Sequence, residues 1–156
     1  MLAPSATARG ARRAGRAVLT RFRERVDAAG PDDRRAVAGV RGRLLIAAIF
    51  RLAGALAFDR ERAREVQTSV EWRVGQPDGG AVLHTMVIDE GRCRIRGRPL
   101  AEPDLVIELA AEDLLRLVAG LEDGVTLFGR GRLKLNGDLG VAMKLPRLFR
   151  PGRRSR

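Results

Sequence analysis

Residues 129–145 constrain the fold of this chain more than any other segment. Leu133 and Leu135 alternate with polar residues, which is typical of a strand with one buried face and one face in water. Gly137 follows, Asp138 stands where a helix N-cap belongs, and an apolar helical pattern comes next. The segment therefore predicts a strand, a glycine turn and a helix in direct succession.

Four more strand patterns precede this segment. Alternating apolar and polar residues predict strands at residues 70–74, 81–88, 92–97 and 104–109. Apolar stripes predict helices at residues 44–58, 60–66, 111–121 and 139–149. Because helices lie before, between and after the five strands, and hairpins join several of them, we expect an α+β protein. Its five-stranded sheet should be mostly antiparallel and covered by helices.

Basic charge is concentrated at the N-terminal end of the chain. Residues 1–43 hold 11 arginines and 4 acidic residues, a net charge of +7 out of +11 for the whole chain. Residues 1–16 have almost no large apolar side chains, and such a segment cannot offset the entropy that it loses on ordering. We therefore predict a basic, disordered arm and linker over residues 1–43, within which residues 17–28 are expected to form a short helix, a domain over residues 44–150 and a basic tail over residues 151–156.

The sequence predicts neither a disulfide, nor a signal peptide, nor a membrane-spanning helix, and these expectations bear on the cellular compartment. One cysteine cannot form an internal disulfide, and arginines interrupt the early residues before an apolar run of signal-peptide length. The apolar run at residues 44–58 is shorter than the ~20 residues that cross a bilayer. We expect a cytoplasmic protein, with peripheral membrane contact left open. Lys134 and Lys144 are the only lysines among 30 basic residues, a bias that suits a GC-rich bacterial genome.

The residues that most often carry catalysis or bind metals are scarce. His84, the only histidine, alternates with Val82 and Met86, so we expect a partly buried, hydrogen-bonded structural residue. Cys93 alternates with Ile95 and is expected to be a small core side chain. One histidine and one cysteine exclude a zinc site built from these residues, and no pair of nucleophile and base can be assembled. We expect no enzymatic activity, no metal and no cofactor.

Four arginines alternate along the third predicted strand and should share one face of the sheet. They are Arg92, Arg94, Arg96 and Arg98. One interpretation is a solvated row balanced by Asp104 and Glu108 on a neighbouring strand. The other is a surface that attracts anionic membranes. The C-terminal arginines that would contribute to it include Arg150, Arg153 and Arg154.

Nucleic-acid and nucleotide binding are not expected. Aromatic residues make up 4% of the chain, and no tyrosine is present to stack on bases. Gly129, Gly131 and Gly137 lack the Gly-Lys-Ser/Thr ending of a phosphate loop, and a strand follows Gly131 where such a loop requires a helix.

The segment over residues 129–145 resembles the C-terminal signature of the sterol carrier protein type 2 family. A glycine, a basic residue, Leu-Lys and an aliphatic residue lead to Gly137-Asp138, and Met143-Lys144-Leu145 stands near the end of the following helix. Residues 103–120 are similar to the strand and helix that precede this signature in the family. The resemblance covers residues 44–150, and we expect a bacterial, stand-alone member.

This resemblance implies a lipid carrier, because members of the family enclose an apolar tunnel between sheet and helices, partly closed by the last helix. The expected lipid-binding residues are Trp72, Leu114, Leu117, Val118, Leu121, Phe128, Met143, Leu145, Leu148 and Phe149. A continuous cavity is expected beside Leu117, Leu121, Phe128 and Met143. A charge at Met143 should then abolish fatty-acid uptake, since an unpaired charge in an apolar cavity is costly.

The expected function is therefore non-enzymatic binding and transfer of a fatty acyl, phospholipid, sterol-like or isoprenoid ligand. Two alternatives remain open. The first is an accessory protein that presents a prenylated quinone precursor to biosynthetic enzymes, since some bacterial relatives of the fold are similar to ubiquinone-biosynthesis factors. The second is a protein-interaction module with a closed core. Arg154-Ser155-Arg156 differs from the Ser-Lys-Leu peroxisomal address, so a peroxisomal role is not expected.

Overall fold

The structure is a computed structural model that describes residues 6–30 and 34–149. Its helices are α1 Ala6–Ala29, α2 Gly39–Leu52, α3 Ala111–Val118, α4 Gly124–Gly129 and α5 Leu139–Leu148, with a 3-10 helix at Arg35–Val37 and a π-helical turn at Ala53–Ala57. Its strands are β1 Thr68–Gly75, β2 Ala81–Asp89, β3 Arg92–Arg96, β4 Leu105–Ala110 and β5 Leu133–Gly137. The expected basic tail over residues 151–156 and Arg150, Arg153 and Arg154 lie outside the described residues.

The five strands form one mixed sheet in the order β3-β2-β1-β4-β5. The pairs β1–β2, β2–β3 and β4–β5 are antiparallel. The pair β1–β4 is parallel, with Trp72 opposite Ile107. The parallel pair arises because the chain leaves β3 at one edge and returns beside β1. This architecture confirms the predicted α+β fold with a five-stranded, mostly antiparallel sheet.

One face of the sheet, here called the inner face, carries the hydrophobic core. Side chains alternate between the faces of a strand, and Val70, Val74 and Leu105 on this face are fully buried. α2 contacts β2, and the π-helical turn lies against Cys93 and Ile95 of β3. α5 contacts β4 and β5. Helical segments therefore contact strands at both edges of the sheet, as well as β2 and β4.

The N-terminal region differs from the expected disordered arm, because α1 spans most of it. Phe22 and Val26 are one helical turn apart and pack into the core, where Val26 is buried. After the undescribed residues 31–33, Arg34 pairs with Glu112 of α3 at 3.2 Å, and Val37 is fully buried. α1 contains the short helix expected over residues 17–28 and begins 11 residues before it, at Ala6.

Three local elements also differ from the sequence-based expectations. α2 begins at Gly39 instead of residue 44 and passes into the π-helical turn before residue 58. Residues 60–65 form turns instead of a helix, and Ala63 O accepts a hydrogen bond from Gly91 N at 3.1 Å, which ties the turns to the β2–β3 hairpin. The helix predicted over residues 111–121 ends at Val118, and α4 follows with Asp123 as its N-cap.

Asp104 joins three elements at the start of β4. Its carboxylate accepts hydrogen bonds from Ser69 N at 2.7 Å, Ser69 Oγ at 3.0 Å and Thr68 Oγ1 at 3.2 Å. Its carbonyl oxygen accepts from Asp138 N at 2.8 Å. Gly137 lies beside the same carbonyl with φ +117°, and a Cβ at Gly137 would overlap this oxygen. The junction fixes the start of β1, the end of β5 and the start of α5 together.

We expect Gly137→Ala to destabilise the protein by about 2–4 kcal/mol, because the new methyl group meets both a positive φ and the Asp104 carbonyl. Gly131→Ala is the matched control. Gly131 also has a positive φ, +70°, but a methyl group added there would have no neighbour within 4 Å, so about 1 kcal/mol is expected. Urea unfolding of both variants measures the difference, and equal losses would show that the close approach is unimportant.

The Asp104 junction should also be visible in the pH dependence of stability. Hydrogen bonds from Ser69 hold the pKa of Asp104 below its ordinary value. Its stabilisation is therefore complete above the unfolded-state pKa of ~3.9 and is lost as the pH falls through the lower folded-state pKa. Asp104→Ala should cost about 1–3 kcal/mol at neutral pH, and the difference from the parent should shrink in acid. Glu102→Ala, at an exposed neighbouring position, is the matched control and should change stability by about 0.5 kcal/mol at most.

Candidate functional site

α5 is held at both of its ends. At its N-terminus, Asp138 Oδ1 accepts hydrogen bonds from Gly140 N at 2.7 Å and Val141 N at 3.3 Å, as expected of an N-cap. At its C-terminus, Phe149 forms an isolated antiparallel bridge with Phe58. Asp59 N donates to Leu148 O at 2.8 Å, and the rings of Phe58 and Phe149 lie 5.4 Å apart.

Two adjoining grooves lie between α5 and the segment that leads into β1. The narrower groove has a volume of about 170 Å³. Its lining residues are Glu65, Val66, Gln67, Thr68, Asp138, Val141, Lys144, Leu145 and Leu148. The wider and more open groove has a volume of about 320 Å³ and is lined by Arg62, Val66, Lys144, Arg147 and Leu148. Val66 and Leu148 line both grooves, so the two grooves share an apolar floor.

Charged side chains surround this floor. Lys144 lines both grooves, and Arg147 extends the basic side of the wider one. Arg62 is paired with Asp59 at 3.1 Å, whereas Lys144 and Arg147 form no ion pair within the described part of the chain. Glu65 and Asp138 also line the narrower groove, so only the wider groove combines an apolar floor with a rim of cations, which suits a ligand with a hydrocarbon body.

The predicted lipid-binding residues fall into three groups. Three are buried in the core: Leu114, Leu145 and Leu148. Four are partly buried and pack against the core: Trp72, Leu117, Leu121 and Phe149. Three are exposed: Val118 at 39%, Phe128 at 51% and Met143 at 77% of their surface. Phe128 and Met143 therefore face water here instead of lining an enclosed cavity, and any contact of these ten residues with a lipid stays a prediction.

An aromatic cluster lies on the inner face beneath α2. Trp72 and His84 are cross-strand partners, and the ring of Phe50 stacks on His84 at 4.4 Å and meets Trp72 edge-on at 5.6 Å. Burial, with a smaller contribution from Arg51, lowers the pKa of His84, so the imidazole is neutral at pH 7. His84 is buried as expected, but the expected hydrogen bond is missing at Nε2, which has no partner among the described residues. Cys93 is partly buried, and burial raises its pKa to about 11, which leaves an unreactive thiol.

The arginine row follows β3, at the edge of the sheet farthest from β5. Arg92, Arg94 and Arg96 are exposed and alternate with inward-facing residues, and Arg98 follows the strand, also exposed. The suggestion that Asp104 and Glu108 balance this row is wrong, because β2 and β1 separate β3 from β4. Glu108 instead pairs with Arg73 at 3.1 Å. None of the four arginines forms an ion pair with another described residue.

A buried ion pair fastens the first turn of α3 to the turn before β5. Arg132 Nη2 lies 2.6 Å from Asp113 Oδ1, and its Nε donates to Oδ2 at 3.2 Å. Asp113 is 2% exposed, and burial raises the pKa of its carboxyl although Arg132 counteracts the shift. The pair explains Asp113 as a structural residue, so a catalytic role need not be invoked.

Neither a metal centre nor a membrane span emerges from residues 6–30 and 34–149. In these ranges, no three or more His, Cys, Asp and Glu side chains are grouped so that they could hold a metal ion. The helices described here include none with the length and apolar character needed to cross a bilayer.

Sequence reasoning missed the groove residues Val66, Thr68 and Val141. Val66 belongs to a segment predicted as helix, and Thr68 precedes the predicted first strand. Val141 belongs to the apolar helical stripe of residues 139–149, and this stripe was the one sequence signal that could have pointed to a groove residue.

Comparisons with known proteins agree with this architecture. The model of the SCP-2 sterol transfer family matches residues 50–150. Bovine (Bos taurus) sterol carrier protein 2 is 33% identical over 78 residues, which are 49% of this chain and 14% of that protein. Human (Homo sapiens) stomatin-like protein 1 is 33% identical over 87 residues, 55% of this chain and 22% of that protein. The chain thus spans less than a quarter of the length of these curated relatives.

Solved structures share the fold. The sterol carrier protein domain 2 of Helicoverpa armigera superposes with a TM-score of 0.57 at 24% identity, over 67% of this chain and 84% of that one. A ubiquinone synthesis protein, UbiJ-SCP2, gives a TM-score of 0.53 at 19% identity, over 68% of this chain and 93% of that one. At these identities the likeness shows the fold alone. Because the family model covers well over half of the sequence, the chain belongs to the SCP-2 sterol transfer family.

Proposed function

We propose that this protein binds a single lipid between the inner face of the sheet and its helices and transfers it between membranes without chemical change. The family's general property is lipid binding and transfer. The observation that carries the proposal for this chain is the wider groove beside α5, which has an apolar floor at Val66 and Leu148 and a basic rim of Arg62, Lys144 and Arg147.

The proposed ligand is mostly hydrocarbon. Burial of an acyl chain gains ~0.8 kcal/mol per methylene, so a long chain offsets the cost of association without specific polar contacts. Small-molecule sites usually measure about 300–1,000 Å³, and the wider groove of about 320 Å³ is at the lower end of that range. Uptake of a ligand larger than this groove requires the space between α5 and residues 65–68 to widen. Fatty acyl, phospholipid, sterol-like and isoprenoid ligands all fit this description.

A second function is favoured by one comparison. The likeness of the fold to a ubiquinone synthesis protein supports an accessory protein that presents a prenylated quinone precursor to biosynthetic enzymes. Co-purification of an isoprenoid instead of a fatty acid would favour this function. An interaction module with a closed core predicts that no lipid co-purifies and that no lipid probe binds.

Charged variants on α5 test where the ligand lies. Val141 lines the narrower groove, whereas Met143 on the same helix is 77% exposed. Val141→Arg should weaken binding of a fluorescent fatty acid by about tenfold or more, because the long charged side chain occupies the narrower groove beside Leu145 and Leu148. Met143→Arg should change it by about twofold at most, because its charge stays in water. Thermal unfolding confirms that both variants fold. If Met143→Arg alone abolishes binding, Met143 belongs to the site and the groove does not.

We also propose that the basic edge at β3 attracts the protein to anionic membranes, where it exchanges its ligand. The basic region at residues 1–43 is expected to add to this attraction through its net charge of +7. Arg92, Arg94, Arg96 and Arg98 support the proposal because they are exposed and lack ion pairs within the described residues. Each basic residue near an anionic surface contributes about 1 kcal/mol.

The double variant Arg94→Gln and Arg96→Gln should therefore bind phosphatidylglycerol-containing vesicles about tenfold or more weakly in sedimentation assays at low salt. The control is the double variant Arg130→Gln, in the turn before β5, and Lys134→Gln, in β5 at the opposite edge of the sheet. It removes the same charge. Binding by the parent should fall as the Debye length shrinks from ~10 Å at 0.1 M salt to ~3 Å at 1 M. Equal losses in both double variants would mean that only net charge matters.

A further inference from the structure

Two polar atoms on the inner face lack the hydrogen bonds that buried groups normally make. Trp72 Nε1 and His84 Nε2 are inaccessible to solvent and have no partner among the described residues. They belong to side chains that face each other across β1 and β2, and His84 is 7% exposed. The two rings also share Phe50 as a common neighbour.

Packing alone does not account for these nitrogens. A phenylalanine at either position would keep the edge-on contact or the stack with Phe50 and would bury no polar atom. A buried donor or acceptor without a partner lowers stability, so two of them on cross-strand neighbours suggest a partner that arrives from outside the chain. Gln76 Oε1, just past the end of β1, is a third buried atom without a partner among the described residues.

The chemistry of that partner follows from the two groups. The indole nitrogen of Trp72 only donates, whereas a neutral imidazole either donates or accepts at Nε2. A hydroxyl accepts from Trp72 and donates to His84, and a carbonyl oxygen accepts from both. A carboxylate fits less well, because the neighbouring cation Arg51 is on the exposed side of α2 and a buried charge requires a close counter-ion.

We propose that Trp72 and His84 form a polar anchor for the oxygen head of an uncharged lipid, a hydroxyl or a carbonyl, whose hydrocarbon part lies along the inner face of the sheet. The anchor rests on the proposed lipid-carrier function and adds the class of head group to it. A carrier with such an anchor selects uncharged alcohols or ketones over fatty acids of equal length.

A ligand series with one hydrocarbon length tests the anchor. The ligands are dodecane, dodecanol, dodecan-2-one and dodecanoate, each with twelve carbons and each measured by displacement of a fluorescent lipid probe. Dodecanol, the ketone or both should bind about tenfold more tightly than dodecane, as expected for hydrogen bonds to otherwise unpaired buried groups. The alcohol and ketone arms distinguish the two head groups.

Trp72→Phe and His84→Phe should each abolish this preference for the oxygen head, so that within each variant dodecanol and the ketone bind no more tightly than dodecane. Phe50→Leu is the matched control, because it removes aromatic volume beside both rings and no polar atom. It should weaken all four ligands alike and preserve the preference.

Trp72 provides a readout without mutation, because the chain has one tryptophan and no tyrosine. Its indole N–H resonance in the NMR spectrum should shift on binding of the preferred ligand and not on binding of dodecane. An unchanged resonance, equal affinity for all four ligands, or tightest binding of dodecanoate would overturn the anchor while leaving the carrier function intact. If the probe and all four ligands fail to bind, the proposed function fails as well.

Discussion

The close contact between Gly137 and the carbonyl oxygen of Asp104 is the constraint on which the site depends. Only a residue without a Cβ fits against this oxygen at φ +117°, and the next residue, Asp138, donates its N–H to the same atom. The end of β5 therefore lies directly against the start of β4, and α5 has to begin there. The carboxylate of Asp104 also accepts a hydrogen bond from Ser69 N. The starts of the parallel strands β1 and β4 and the start of α5 are therefore held together at Asp104.

The two sides of the candidate site have different stabilities because of this arrangement. The sheet is joined by four strand pairings, and backbone hydrogen bonds in a packed sheet are expected to open only with large free energies. The groove side of α5 rests on a few apolar contacts, among them those of Leu145 and Leu148. A carrier needs such a division, because one wall has to keep its shape while the other admits a ligand of variable length.

Much of the fold was predictable because its signals are local. Alternation around Leu133 and Leu135, the turn at Gly137 and the cap at Asp138 specify consecutive elements, and the structure has each of them. The parallel pairing of β1 with β4 depends on contacts between distant segments, so sequence could not show that Asp104 and Glu108 lie far from the β3 arginines. The exposure of Met143 likewise depends on how α5 is rotated against β4 and β5. The helix period assigns a residue to a stripe without saying which stripe meets the sheet.

The bridge between Phe58 and Phe149 joins a residue that precedes all five strands in the sequence to one that follows them all. Neither residue belongs to a strand of the sheet. The bridge lies outside the sheet and holds the end of α5 to the segment that precedes β1. Undoing it breaks none of the four strand pairings, and its direct cost is the hydrogen bond from Asp59 N to Leu148 O and the contact between the two phenylalanine rings. Substitutions at Phe58 or Phe149 should therefore change how the end of α5 is held without altering the pairing of the strands.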